Sequence, residues 1–118
     1  MSYSSFEDLD VWKRSARLAV QVYEVLKDCR DYGLKDQMCR AAVSIASNIA
    51  EGAERDSKKE FVRFLHIAKG SAAELRTQLY IAAKVGVVPQ DDQKEMVAEL
   101  VAISKMIQKL ATAIKLKI

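Results

Sequence analysis

Residues 57–82 read SKKEFVRFLHIAKGSAAELRTQLYIA. Ser57, followed three positions later by Glu60, is a capping box, an arrangement that satisfies free amides at the start of a helix. Phe61, Leu65, Ala68, Ala72, Leu75, Leu79 and Ala82 then step alternately by four and three. That is a heptad seam, the mark of a long helix with one apolar side. Gly86 and Pro89 end it. A helix of about 25 residues spans roughly 38 Å. Its seam needs neighbours of similar length, so the stretch points to a helical bundle.

Three further segments repeat the pattern. The first opens at Ser5, with Asp8 three residues on as a box-like cap. Its expected seam is Leu9, Trp12, Ala16, Ala19, Tyr23 and Leu26, and a turn at Asp31-Tyr32-Gly33 follows, where glycine can take a positive φ. The second runs from about Leu34, with Met38, Ala42, Ile45 and Ile49 as its stripe. The fourth begins near Asp91 or Asp92 and carries Met96, Leu100, Ile103, Ile107, Leu110 and Ile114. Strand signals are absent. Four heptad-patterned helices with short connections predict an all-α, antiparallel, up-down-up-down, left-handed four-helix bundle, with residues 1–118 as one domain.

Bulk composition agrees. The chain has 118 residues, half of them hydrophobic, with one proline and four glycines. That is enough for a core without disulfides or metal. Cys29 and Cys39 match no zinc or redox spacing and read as reduced thiols. The N-terminus MSYSSFEDLD has no basic or apolar signal region, and no apolar run approaches membrane-spanning length. A cytoplasmic protein is expected. The net charge of +3 permits contact with nucleic acid without demanding it.

Inside the second helix, residues 44–52 read SIASNIAEG, polar where a core helix should be apolar. Gln37, Arg40, Ser44, Asn48 and Glu51 share one face by their spacing. On the third helix Arg63, Gly70, Glu74 and Gln78 line one side, with Ser71 beside them. Antiparallel pairing about a loop near Asp56 sets Arg40 level with Glu74, Glu51 level with Arg63, and Ser44 opposite Gly70. Small residues let backbones approach closely, and opposed Arg–Glu pairs would fix register. Two readings stand: a polar lock between helices, or a ligand site.

The stretches QMCRAAVSIASNIAEGAER (37–55) and KEFVRFLHIAKGSAAELRTQL (59–79) resemble the signature of the four-helix-bundle family of 23S rRNA intervening-sequence proteins. FEDLDVWKRSARLAVQVY (6–23) is similar to its N-terminal pattern. The signature maps onto Gln37, Arg40, Ser44, Asn48, Ile49, Ala50, Glu51 and Gly52, then Phe64, Gly70, Ser71, Glu74 and Leu75. Two departures are small: Cys29-Arg30-Asp31 where the family often has a proline, and Lys69 where it often has arginine. No enzymatic activity is established for the family that the chain resembles, and no cofactor is expected. The resemblance implies a ring-shaped homopentamer, with an RNA or DNA role like that of the related accessory protein of diversity-generating retroelements.

The residues themselves argue against catalysis. His66 is the only histidine, the paired Glu-x-x-His motifs of a di-iron bundle are missing, and there is no phosphate loop or nucleophile elbow. No metal ligand set is expected. Val11, Leu18, Val22 and Val25 form a second apolar stripe on the first helix. Left exposed, it is a candidate oligomer interface; a wider core would bury it instead. Lys13, Arg14 and Arg17, and separately Arg55, Lys58 and Lys59, are candidate nucleic-acid contacts. No aromatic residues interleave with them, so base readout is not expected. The competing reading is a protein-binding scaffold that touches no nucleic acid.

Overall fold

A computed structural model describes residues 5–118; the reading of residues 1–4 as part of a polar stretch without signal-peptide character lies outside them. A 3-10 turn, Phe6–Asp8, precedes four helices: α1 Asp10–Val25, α2 Tyr32–Ala53, α3 Lys58–Lys84 and α4 Gln90–Lys115. The described residues hold no strand. α1 packs on α2 and α4, α3 packs on α2 and α4, and the backbones of the diagonal pairs stay more than 8 Å apart, Cα to Cα. This is an up-down-up-down bundle, 46 Å long and about 20 Å across.

The ends follow local chemistry. Ser57 Oγ accepts from the Glu60 amide at 3.2 Å and opens α3. α3 closes in a Schellman motif: Gly86 takes φ +82°, its amide donates to the Ala83 carbonyl, and the Val87 amide donates to the Ala82 carbonyl. Pro89 is then the N-cap of α4.

Two boundaries differ from expectation. Ser5 and Asp8 do form a capping box, but it caps only the 3-10 turn. Leu9 is extended (ψ 123°), so α1 starts afresh at Asp10. Gly33 does not make a positive-φ turn. It lies inside α2, whose N-cap Asp31 accepts from the Leu34 amide at 3.1 Å. A side-chain cap satisfies that helix end without a left-handed residue.

The core is one cluster drawn from all four helices, with Leu18, Leu26, Met38, Ile45, Leu65, Leu79, Leu100 and Ile107 fully buried. On α1 both apolar stripes feed the core: from the expected seam Ala19 and Leu26 are buried, and Leu9 and Trp12 pack against the core cluster. Val11 (5 % exposed), Leu18 (1 %) and Val22 (0 %) are buried within the chain, and Val25 packs against the core. They are core residues, not an exposed interface. From the expected seam, Tyr23 is 53 % exposed, and Val20 beside it is 58 % exposed. The reason is bulk: α1 sits in a corner between α2 and α4, and branched Val11, Leu18 and Val22 fill that corner better than alanines would. Among the described residues no helix is long and apolar enough to cross a membrane.

Candidate interaction surfaces

The polar signature residues lie along the α2–α3 hairpin, while Ile49 and Leu75 of the same signature are buried in the core. At the centre of the hairpin Ser44 Oγ lies 2.9 Å from Ser71 Oγ. Asn48 Nδ2 donates to the Ser44 carbonyl (2.8 Å) and to Ser44 Oγ (2.9 Å). All three side chains are half-buried, so the hydroxyls and the amide satisfy one another where water is scarce.

Gly52, not Gly70, is the point of closest approach. A Cβ on buried Gly52 would stand 2.7 Å from Phe64 Cβ and 3.3 Å from the Phe61 carbonyl oxygen. Gly70 is exposed, and a Cβ there would meet nothing within 4 Å. The expected Ser44–Gly70 opposition is therefore off by one residue. Ser71 faces α2, and Gly70 points away from the chain.

The expected cross-helix charge pairs are also replaced. Arg40 binds Asp36 one turn earlier on α2 (2.8 Å). Glu51 accepts from Arg55 (2.8 Å), and Arg63 from α3 donates to Glu60 (2.9 Å). Each arginine takes the carboxylate three or four residues away, which needs less ordering than a reach across the hairpin. Glu74 is exposed and has no ion-pair partner among the described residues. The hydrogen bond from Arg63 holds the Glu60 carboxyl below its ordinary range.

Arg55 and Arg63 instead converge on one ring. Their guanidinium carbons lie 4.9 and 4.6 Å from the Phe64 centroid, in cation–π contact. Phe64 thus seals Gly52 from one side and is covered by two arginines on the other. Two turns along from Ser44 and Ser71, Gln37 is exposed while Gln78 is 7 % exposed, and Gln78 Oε1 has no hydrogen-bond partner among the described residues.

The other basic cluster divides. Arg14 donates through Nε to Glu99 on α4 (2.8 Å) and touches Met106 Sδ. Lys13 and Arg17 are exposed and hold no ion pair among the described residues, as do Lys58 and Lys59 at the start of α3. A groove runs between α1 and α4. It is lined by Leu9, Asp10, Met106, Lys109 and Leu110 at one end, by Arg14, Arg17, Glu95 and Glu99 in the middle, and by Glu24, Asp92 and Glu95 at the other end.

Little here resembles catalytic machinery. His66 is exposed on α3. Among the described residues no three His, Cys, Asp or Glu side chains gather to hold a metal. A groove of about 710 Å³ between α3 and α4, lined by Tyr80, Lys84, Gln93 and Lys94 among others, holds no carboxylate, histidine or thiol. Cys29 and Cys39 are free thiols, and burial pushes the Cys39 thiol up, away from reactivity.

Sequence reasoning missed the Phe64 stack, the Glu99 partner and the orphan Gln78 oxygen. The i,i+4 and i,i+3 spacings of Asp36–Arg40, Glu51–Arg55 and Glu60–Arg63 were the available signal for the local pairs.

Residues 7–109 match the family described as 23S rRNA-intervening sequence protein. The chain is similar in fold to a crystal structure, at 1.70 Å, of a protein of unknown function from the S23 ribosomal protein family of Bacteroides thetaiotaomicron VPI-5482. The TM-score is 0.80 at 20 % identity, covering 86 % of this chain and 97 % of the other. No curated protein matches the chain.

Proposed function

Because the chain belongs to the 23S rRNA-intervening sequence protein family, we propose that it is a non-catalytic bundle that self-associates as a homopentamer and serves in the cytoplasm as an accessory binder of RNA or DNA. The observation that carries self-association is Gly70. A glycine in the interior of an exposed helix costs about 1 kcal/mol against alanine. Nothing within the chain asks for it, since its Cβ position is open space. A second backbone packed against α3 would ask for it, because only a residue without a side chain admits that approach. Ile67 (40 % exposed) and the half-buried Ser44–Ser71 pair lie beside it on the same side of the hairpin.

Light scattering behind a sizing column tests the reading. The expected mass is five times the 13.2 kDa of one chain. Gly70→Leu should shift it toward the monomer while the helix content is kept. A monomeric wild type at micromolar concentration overturns self-association.

A protein-binding scaffold is the second reading. Its support is the exposed apolar pair Val20 and Tyr23 on α1. Pull-downs from extract with and without nuclease separate the two: a partner kept after nuclease favours the scaffold.

A further inference from the structure

The alternation of helix direction sorts the charges. Cut the bundle across the helix midpoints, and residues 5–17, 43–70 and 103–118 fall at one end. That half holds twelve of the nineteen Lys and Arg but only seven of the sixteen Asp and Glu, a net of +5; the other half carries −2. Clusters far apart in sequence are thus brought together by topology. The α1–α4 groove grades along its length, from Lys109 with Asp10 at one end, through Arg14 and Arg17 with Glu95 and Glu99, to Glu24, Asp92 and Glu95 without a cation at the other.

We infer that the basic half of the α1–α4 side, carrying Lys13 and Arg17 on α1 and Lys105 and Lys109 on α4, is a docking track for the sugar–phosphate backbone of structured nucleic acid. This rests on the RNA- or DNA-binding part of the proposed function and locates it. All four cations are exposed, and none is spent on a carboxylate among the described residues. Arg14, by contrast, is committed to Glu99 and serves to hold the two walls together. The cations are spread along two helices rather than converging on one pocket, which suits an extended polyanion and not a small anion. A duplex presents one charge per about 1.7 Å of its axis. Half of the bundle's 46 Å length therefore offers several phosphates within reach. The acidic half stops the track, because like charges repel there. No aromatic side chain lies among these four cations, so the contact reads backbone and not sequence.

The test uses a fluorescein-labelled RNA hairpin, with anisotropy read at low salt on the full chain. Wild type should bind, with log Kd changing linearly against log salt. Lys105→Glu with Lys109→Glu should weaken binding about tenfold or more and flatten the salt slope. Lys84→Glu with Lys94→Glu makes the same charge change at the other end and should shift binding less than about twofold. Circular dichroism and sizing of both variants establish that each keeps the fold and assembly. If wild type binds and the two pairs weaken it equally, the location is wrong while the nucleic-acid reading survives. If wild type binds no RNA at low salt, both fall. Displacement by polyglutamate as readily as by unlabelled RNA marks a site for acidic protein and overturns the assignment.

Discussion

Gly52 and Phe64 are in backbone-to-side-chain contact so close that a methyl group on Gly52 would stand 2.7 Å from Phe64 Cβ. Neither partner is the free end of a flexible chain, so one helix must move. Gly52→Ala should destabilise the bundle by about 1–3 kcal/mol from overpacking, even though alanine is the better helix former. Chemical denaturation measures this. A variant as stable as wild type would show that α2 and α3 can separate at little cost.

Gly70 predicts the opposite sign. Gly70→Ala should raise the stability of the isolated chain by up to about 1 kcal/mol. The same change should weaken self-association. Denaturation across a dilution series reads both at once. Stabilisation at every concentration, with no loss of assembly, would remove α3 from the interface.

Leu18 and Val22 distinguish core from interface on α1. Leu18→Ala should cost about 2–5 kcal/mol at every protein concentration, because the cavity opens inside one chain. An interface residue would instead give a cost that fades on dilution.

The cap at Ser57 is a smaller, local test. Its Oγ receives the Glu60 amide at 3.2 Å. Ser57→Ala should lower stability by about 1 kcal/mol. Thermal melts resolve it, and Ser57→Asp should restore most of the loss.

Arg14 and Glu99 give a pH signature. The hydrogen bond from Arg14, and its charge, hold the Glu99 carboxyl below the ordinary carboxylate range, with burial opposing. A depressed folded-state value means the stabilisation is present above the unfolded value and is lost as pH falls through the folded one. Both side chains are partly exposed, so the effect is modest. Glu99→Gln should be slightly less stable than wild type near pH 7, and the gap should close as the pH falls below the ordinary glutamate value of about 4.3. A gap that ignores pH would mean the pair contributes through packing alone.

Much of this architecture is legible in the chain. Ser57-x-x-Glu60 and Gly86 mark the ends of α3 because caps and left-handed turns depend on nearest neighbours. The stripes on α1 were not separable, since Val11–Leu18–Val22 and Trp12–Ala16–Tyr23 both keep helical spacing. The corner between α2 and α4 takes the first stripe whole and Trp12 from the second, and leaves Tyr23 outside. The polar face was legible as a face, but its pairings were not. Periodicity places Arg40 and Glu74 near one level, while the nearer Asp36 takes the arginine at lower entropic cost. Ser71 rather than Gly70 meets Ser44 because rotation by one residue about α3, 100° in an ideal helix, lies below what level-matching resolves.

The bond between Arg14 and Glu99 joins residues 85 positions apart. During synthesis the chain emerges from its N-terminus, and α1, α2 and α3 are complete before Glu99 exists. Until then the side of α1 that α4 will cover stays open to water, with Leu18 and Val22 among the residues waiting. The last helix made closes the wall begun by the first, and the Arg14 pairing records that the bundle is finished.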